Sequence, residues 1–228
     1  MKERRSKVDF DAIADRYDLW YESEEGAMYD HFEKKAISKY LPRNVKGMKL
    51  LEIGCGTGHW SRFFSENNFE VTGVDVSERM IKIAQDKGIS NASFQMADGR
   101  SLPFADGSFD VAAAITTLEF VDNAESVVRE MARCTHKPEG KLLIGVLNAL
   151  ARFNRRRQQE PESLYAKAHL FSPGQLKRLL EPYGQTKITA AAFIPSRKWF
   201  LFLSPLIDTL GHFLHLPYGV FIAAEVRL

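Results

Sequence analysis

The chain has 228 residues, of which 45% are hydrophobic and 26% are charged, and its formal net charge is +2. A chain of this length and composition can form one domain with a full hydrophobic core. The small net charge gives no reason to expect nucleic acid as a partner. The two cysteines, Cys55 and Cys134, show neither a metal-ligand spacing nor a disulfide framework, so no metal site is expected. The charged N-terminus lacks the apolar run of a signal peptide, and no apolar stretch reaches the roughly 18 residues of a spanning helix, so we expect a cytoplasmic protein.

Segments of strand and helix character alternate along residues 48–147, a pattern typical of a parallel sheet with helices on both faces. Strands are predicted at 48–53, 69–75, 92–96, 109–115 and 141–147, with two more at 186–194 and 219–226. Helices are predicted to begin at Gly58, at the N-cap Ser77, at Asp122 or Asn123, and at Ser172 with Pro173 in the first helical position.

Three alternate glycines follow the first strand, in the pattern Glu52-x-Gly54-x-Gly56-x-Gly58. A turn of this kind lets a ligand approach the backbone closely, beyond the carboxyl end of a strand. A dinucleotide fingerprint would need glycine at position 59, where this chain has His59. The pattern resembles the first motif of the class I S-adenosylmethionine-dependent methyltransferases. The resemblance implies that the turn binds the cofactor through Glu52, Gly54, Cys55, Gly56 and Gly58. We interpret Cys55 as a small packing residue of this turn rather than as a nucleophile, and His59 as bordering the cofactor or, slightly preferred, facing solvent.

The second strand ends at Asp75, 17 positions beyond Gly58, where a carboxylate can accept hydrogen bonds from two ribose hydroxyls. The alternative is that Asp75 caps the next helix, a role that Ser77 fills better. Val76 and Met80 are predicted to border the same ligand. Asp98 and Gly99 resemble the family's loop in which an aspartate binds the adenine amino group, although Asp-Gly is also a common turn pair.

The fourth strand continues into a segment that contains Thr116 and Glu119. In the resembled family this loop lines the methionine part of the cofactor, so Thr116 is expected to contact it. Glu119 can bind a substrate or accept its proton, as a candidate catalytic residue, or it can form a structural salt bridge. Tyr17 and Tyr21 lie four residues apart in an N-terminal segment similar to a family lid. Tyr17 is a candidate catalytic residue and Tyr21 a candidate cofactor contact, unless both rings only anchor the segment.

The resemblance implies a Rossmann-like α/β fold with a seven-stranded, mostly parallel sheet, helices on both faces, an antiparallel last strand and an N-terminal helical lid. It is closest to the ubiquinone/menaquinone-biosynthesis type, also called methyltransferase type 11. The implied cofactor is S-adenosylmethionine, with S-adenosylhomocysteine as product, and the implied function is methyl transfer to a small molecule. We assign residues 1–41 to the lid and 42–228 to one methyltransferase domain, with insertions at about 148–170 and 195–217.

Both insertions leave the acceptor open. Arginines at 152, 155, 156 and 157 can bind a carboxylate, a phosphate or an anionic membrane surface, or can be a solvated loop. Residues 199–216 are apolar enough to cap a hydrophobic pocket, contact a membrane surface or form a dimer contact, and the oligomeric state is not predicted. A lipophilic or aromatic acceptor is favoured. The competing hypotheses are a non-catalytic module that binds the cofactor and a protein partner, and, more weakly, a nicotinamide oxidoreductase.

Overall fold

A seven-stranded sheet forms the centre of the protein in this computed structural model, which describes residues 8–194, 204–214 and 216–228. Its strands are β1 (Lys49–Ile53), β2 (Glu70–Asp75), β3 (Ala92–Met96), β4 (Val111–Ile115), β5 (Lys141–Leu147), β6 (Gln185–Ala191) and β7 (Phe221–Arg227). The spatial order is β3-β2-β1-β4-β5-β7-β6. Strand β7 pairs antiparallel with both β5 and β6, and β1 to β5 pair parallel with their neighbours. The predicted sheet, including its antiparallel last strand, is confirmed.

Helices cover the two faces of the sheet, and the first three belong to the N-terminal segment of the chain. They are α1 (Ala14–Tyr17), α2 (Leu19–Glu22), α3 (Glu24–Ser38), α4 (His59–Glu66), α5 (Glu78–Asp86), α6 (Ala124–Cys134), α7 (Arg152–Gln159), α8 (Pro173–Leu180) and α9 (Ser204–Phe213). The side chains of Ser77, Asn123 and Ser172 cap α5, α6 and α8 as predicted, each accepting a hydrogen bond from a backbone N–H. These caps satisfy amide groups that the first helical turn leaves without partners.

Three strand boundaries differ from the predicted ones by two residues or more, and one of these is the start of the last strand, at Phe221 rather than at 219. The strand expected from 109 begins at Val111, because Phe109 makes only an isolated bridge to Thr135. The strand expected to end at 194 ends at Ala191, since Ala192 takes the left-handed backbone conformation with a φ of 58°. A left-handed residue cannot continue an extended strand.

The insertion at 148–170 is ordered rather than irregular. It contains α7 and a short 3-10 helix at Leu164–Lys167. The buried Asn154 amide donates to the backbone oxygens of Asn148 and Val220, at 3.0 and 2.7 Å. These two hydrogen bonds attach α7 to the ends of β5 and β7, next to the carboxyl ends of the parallel strands.

The second insertion is described only in part, because residues 195–203 and 215 lie outside the described residues. The predicted apolar segment 199–216 is therefore described only at 204–214 and 216. In its described part, α9 exposes Leu206, Leu210 and Phe213. Within the described ranges, no helix has the length and apolarity needed to cross a bilayer. Membrane and dimer contacts at this segment stay predictions.

The core has two parts, one on each face of the sheet. One side packs α6 and α8 on residues such as Leu51, Val74 and Ile144, and the other packs α3 and α4 on residues such as Leu50 and Val111. This arrangement leaves the carboxyl ends of β1, β2 and β4 at one edge, where the strand order reverses direction around β1. A crevice at such a switch point is the usual ligand site of open α/β sheets.

A substitution at Gly145 tests how closely β5 packs against β7. A Cβ at this position would overlap the Phe221 ring and lie 3.0 Å from the Ile115 Cγ2 atom. We expect Gly145→Ala to lower the unfolding free energy by about 1–3 kcal/mol through overpacking. Urea unfolding measures this change. The control is Gly174→Ala in α8, where a Cβ meets only the Arg178 Nη1 atom at 3.7 Å, so stability should not fall. Equal stability of both variants would contradict the packing.

Candidate active site

The turn after β1 is fixed by the sheet and by its neighbours. The N–H groups of Gly54 and Cys55 both donate to the Val74 carbonyl oxygen, at 2.8 and 3.0 Å. Gly54 has a φ of 70°, and a Cβ there would overlap the Thr117 side chain. A Cβ on Gly56 would instead reach nothing closer than the Tyr17 ring at 3.9 Å. The backbone at Gly56 is therefore open to a ligand.

Asp75, at the end of β2, is bound to this turn. Its Oδ2 atom accepts from the Gly56 N–H and its Oδ1 atom from the Ser77 N–H, both at 2.9 Å. Burial raises the pKa of the carboxyl, while these backbone hydrogen bonds oppose the shift. A carboxylate has about four lone-pair positions, so Asp75 keeps capacity for further donors such as hydroxyls.

Asp98, at the loop after β3, is paired with Arg100. The guanidinium Nη2 atom donates to Oδ2 at 2.6 Å and the Arg100 N–H donates to Oδ1 at 2.9 Å. The hydrogen bonds from Arg100 lower the pKa of the Asp98 carboxyl. Asp98 is thus an ionised acceptor at the same edge of the sheet as Asp75, with its orientation fixed by its own loop.

The first cavity lies along this edge and has a volume of about 110 Å³. Its walls include every predicted cofactor-binding residue except Gly58, namely Tyr21, Glu52, Gly54, Cys55, Gly56, Asp75, Val76, Met80, Asp98, Gly99 and Thr116, together with Tyr17. At Gly58 a Cβ would meet Ile89 and Phe94 rather than the cavity, so the structure places this glycine in the packing between α4, α5 and β3. The sequence had not indicated Phe10, Arg100, Phe120 or Asp122, which also line the cavity.

Glu52 lies on the inner wall of the first cavity and is almost fully buried. Its Oε2 atom accepts from the Ser61 hydroxyl at 2.5 Å. Burial raises the pKa of Glu52 to about 8, against the opposing effect of that hydrogen bond. At neutral pH the carboxyl is therefore mostly protonated, and it can donate as well as accept a hydrogen bond.

The N-terminal segment crosses this edge through polar contacts. Asp18 accepts from the Thr57 hydroxyl at 2.6 Å and pairs with the Lys87 ammonium at 2.6 Å. Asp11 accepts from the Ser77 hydroxyl at 2.5 Å. These contacts bring the Tyr17 and Tyr21 rings over the cavity, with their centroids 6.2 Å apart.

His59 differs from the slightly preferred solvent-facing interpretation. Its ring stacks on Tyr21 at a centroid distance of 3.6 Å and an interplanar angle of 8°. Its Nε2 atom lies 2.7 Å from the Asp30 carboxylate, and only 22% of the side chain is exposed. His59 therefore connects α4 with α2 and α3, and it lies on the wall of the first cavity.

Glu119 lies inside the protein and does not line either cavity described here. Its Oε1 atom accepts from the Leu147 N–H at 2.6 Å, its carbonyl oxygen accepts from the His169 N–H at 2.7 Å, and its Oε2 atom has no partner. Burial raises the pKa of the carboxyl to about 8. The salt-bridge alternative finds no partner among the described residues, and the observed contact joins the loop after β4 to the end of β5.

A second cavity of about 550 Å³ adjoins the first. Four residues, Tyr17, Tyr21, Thr116 and Phe120, line both. The remaining wall comes mainly from the N-terminal segment with α2, from α3, and from α7 with the segment that follows it, and it includes Trp20, Tyr29, Glu33, Arg157 and Tyr165. Of the four arginines that the sequence singles out, only Arg157 is half-buried there, and the other three are exposed.

Arg157 is surrounded by aromatic rings. Its guanidinium carbon lies 3.6 Å from the Tyr165 ring centroid and 5.1 Å from those of Trp20 and Phe153. These are cation–π distances. The rings leave the guanidinium as a fixed positive group on one side of the second cavity.

Glu33 is the residue of this cavity that the sequence interpretation missed. It lies in α3 among Tyr29, Phe32, Ala36 and Ile37, all of which are buried. A charged residue inside the apolar stripe of a helix is the signal that would have indicated it. Among the residues described, no group of three or more His, Cys, Asp or Glu side chains is arranged to bind a metal ion.

Comparisons with known proteins agree with this geometry. A family model described as a methyltransferase domain matches residues 28–190. An uncharacterized protein of Methanocaldococcus jannaschii is 31% identical over 188 residues, covering 81% of this chain and 84% of that protein. A ubiquinone/menaquinone biosynthesis C-methyltransferase of Pseudomonas paraeruginosa is 33% identical over 143 residues, which cover 59% of this chain and 55% of that enzyme. This chain thus spans about half of the enzyme whose activity is named.

Comparison with solved structures supports the same fold. The crystal structure of an S-adenosylmethionine-dependent methyltransferase from Thermotoga maritima superposes with a TM-score of 0.73 at 24% identity, covering 96% of this chain and 97% of that one. The fold and the crevice define a class I methyltransferase architecture. The chain belongs to the methyltransferase domain family, and its cofactor is S-adenosylmethionine.

The residues present fit this cofactor. The open backbone at Gly56 and the remaining lone pairs of Asp75 suit a ribose, and the apolar Val76 and Met80 side chains suit a purine ring. Glu52 and the tyrosines of the N-terminal segment offer polar groups at the other end of the cavity.

Glu119 makes stability depend on pH. Its folded pKa of about 8 lies above the ordinary value of 4.5, so the folded state binds the proton more tightly and stability is lost as pH rises. The quantity to measure is the difference in unfolding free energy between wild type and Glu119→Gln (wild type minus variant). This difference should fall by about 1.4 kcal/mol per pH unit between about pH 5 and 8. Urea unfolding across this range measures the slope. The exposed control Glu160→Gln should follow wild type, and a Glu119→Gln difference independent of pH would contradict the buried neutral carboxyl.

Proposed function

We propose that the protein transfers a methyl group from S-adenosylmethionine to a small-molecule acceptor with an apolar or aromatic body. The observation that carries this proposal is the second cavity, which meets the first at Tyr17, Tyr21, Thr116 and Phe120. A donor in one cavity and an acceptor in the other would face each other at this junction. The aromatic lining and the volume of about 550 Å³ suit a small organic molecule rather than a polymer.

The proposed cofactor contacts follow the walls of the first cavity. Asp75 accepts from the ribose hydroxyls, Asp98 with Gly99 binds the adenine edge, and Glu52 with the turn at Gly54 and Gly56 contacts the methionine part. The bound cofactor supplies an electrophilic methyl group on a positively charged sulfur. The protein has mainly to align the acceptor and exclude water, and such alignment can contribute roughly 7–11 kcal/mol.

Tyr17 and Tyr21 are the proposed residues of the junction. Burial raises the pKa of both phenols, so they are neutral hydroxyls that can donate to the acceptor or to the methionine end. Glu119 is a positioning residue in this proposal, since its carboxyl fixes the backbone of Leu147, which borders the second cavity. A module that only binds the cofactor would have no use for a second cavity opening at the same place.

The role of Asp75 can be tested by calorimetry with S-adenosylhomocysteine. Loss of charge-assisted hydrogen bonds to two hydroxyls should weaken binding at least tenfold in Asp75→Asn, since each such bond contributes about 1.5–3 kcal/mol. The control is Asp86→Asn, an exposed position in α5, which should bind as wild type does. Circular dichroism should show both variants folded. Unchanged affinity in Asp75→Asn, or binding of NAD in place of S-adenosylhomocysteine, would contradict the assignment.

The same proteins test the class of acceptor. With S-adenosylmethionine labelled at the methyl group, wild type and Asp86→Asn should transfer label to the low-molecular-mass fraction of a cell extract, and Asp75→Asn should transfer at least tenfold less. Label found only in the protein or nucleic-acid fraction would overturn the small-molecule proposal.

A further inference from the structure

The Glu33 carboxyl is buried in the wall of the second cavity without a hydrogen-bond partner. The residue is only 8% exposed, and it lines the cavity. Across the described ranges, no N–H or hydroxyl group lies at hydrogen-bond distance from its oxygens, whereas the buried Glu52 and Glu119 each accept at least one such bond. Buried carboxyls are ordinarily paired, because leaving one unpaired costs free energy. The free oxygens of Glu33 therefore indicate a ligand group.

The charged neighbours of Glu33 are engaged elsewhere. On its own helix, Asp30 pairs with Lys34 at 2.7 Å and with His59 at 2.7 Å. From α7, the Arg157 guanidinium lies against aromatic rings and acts on Glu33 only through its charge. Burial first, and then the charges of Asp30 and Glu119, raise the pKa of Glu33 to about 8, while Arg157 and Lys34 oppose the shift. No cation in the described part of the chain forms an ion pair with this carboxyl.

The rings around Glu33 favour a positive group. Tyr29 lies one helical turn before it in α3 and is buried, and Tyr17, Trp20, Tyr21 and Tyr165 line the same cavity. The faces of aromatic rings attract cations, and a carboxylate beside them adds an ion pair. The same rings already contact one cation, since Trp20 and Tyr165 lie under the Arg157 guanidinium. The acidic residues that line the cavity, Asp9, Asp30, Glu33 and Glu162, outnumber its basic residues, Arg16, Arg157 and Lys167, so the wall as a whole favours a cation over a carboxylate-bearing ligand.

On the basis of the proposed function, we propose that the methyl acceptor is an amine with an aromatic or apolar body, and that Glu33 is the residue that selects it. On binding, the ammonium group pairs with the Glu33 carboxylate, and the apolar body packs against the tyrosine and tryptophan rings. For transfer, the ammonium returns one proton to this carboxylate, and the neutral nitrogen forms the new C–N bond as the C–S bond of the cofactor breaks and S-adenosylhomocysteine leaves. Glu33 thus binds the amine, determines specificity and accepts the proton.

The test uses three probes with one skeleton, namely tryptamine, the alcohol tryptophol and indole-3-propionate. Each is titrated calorimetrically at pH 7 into protein saturated with S-adenosylhomocysteine. Wild type should bind tryptamine at least tenfold more tightly than tryptophol and should bind indole-3-propionate more weakly than either. Glu33→Gln should bind tryptamine and tryptophol within threefold of each other. Glu24→Gln, an exposed position on the same helix, should keep the wild-type preference.

Proton release gives a second readout. With a pKa of about 8, most Glu33 carboxyls carry a proton at pH 7, and an ammonium displaces it. Tryptamine binding to wild type should therefore release close to one proton, seen as different heats in phosphate and Tris buffers, and binding to Glu33→Gln should release about none. In urea, Glu33→Gln should be at least as stable as wild type at pH 7, because it removes a buried carboxyl whose pKa is raised, and its affinity for S-adenosylhomocysteine should be unchanged. Loss of stability or of cofactor affinity would indicate a structural role instead.

The outcomes distinguish this inference from the proposed function. The amine assignment is overturned if wild type prefers tryptophol or indole-3-propionate, if no probe binds at millimolar concentration, or if Glu33→Gln keeps the preference for tryptamine. Transfer of labelled methyl to tryptophol but not to tryptamine would remove the amine assignment and leave small-molecule methyl transfer standing. Failure of wild type to bind S-adenosylhomocysteine would instead remove the proposed function itself.

Discussion

The hydrogen bond from the Gly56 N–H to the Asp75 carboxylate joins the ends of two neighbouring strands, and the rest of the site depends on it. It fixes the turn after β1 against the end of β2 while leaving Gly56 open on its other side. The Ser77 N–H binds the other oxygen of the same carboxylate and starts α5. One half-buried side chain thus determines the width of the crevice, the start of a helix and the direction of the lone pairs that a ribose can use.

Desolvation is the second constraint on this site. Glu33, Glu52 and Glu119 are each buried, and burial raises the pKa of each to about 8. Their hydrogen-bond partners nevertheless differ. Glu52 accepts from a hydroxyl and Glu119 from a backbone amide, so both have structural partners, whereas Glu33 faces a cavity with none. A raised pKa alone would not distinguish the three, and the difference comes from geometry.

The sequence predicted most of the residues that line the first cavity, because its signals are local. Glycines at alternate positions, an acidic residue at each strand end and caps such as Ser77 and Ser172 each act within a few residues, so their spacing is sufficient. The described sheet confirms the seven strands and the antiparallel last strand that the resemblance implied. Gly58 shows the limit of such reasoning, since the pattern could not distinguish a glycine that opens a cavity from one required by packing against Ile89.

The second cavity could not be predicted in the same way, because it is assembled from distant parts of the chain. Glu33 comes from α3, Arg157 from α7 and Tyr165 from the segment after it, and no local pattern relates them. His59 illustrates the same point, since its stacking on Tyr21 and its contact with Asp30 depend on the position of the N-terminal helices.

The central claim is that two adjoining cavities meet at Tyr17 and Tyr21, with the methyl donor in the first. A crystal structure of the wild-type protein with S-adenosylhomocysteine tests it most directly. The account predicts ribose hydroxyls about 3 Å from the Asp75 oxygens and the sulfur atom directed at the opening between the cavities. A nucleoside bound away from Asp75, or a sulfur atom separated from the second cavity by a closed wall, would contradict it.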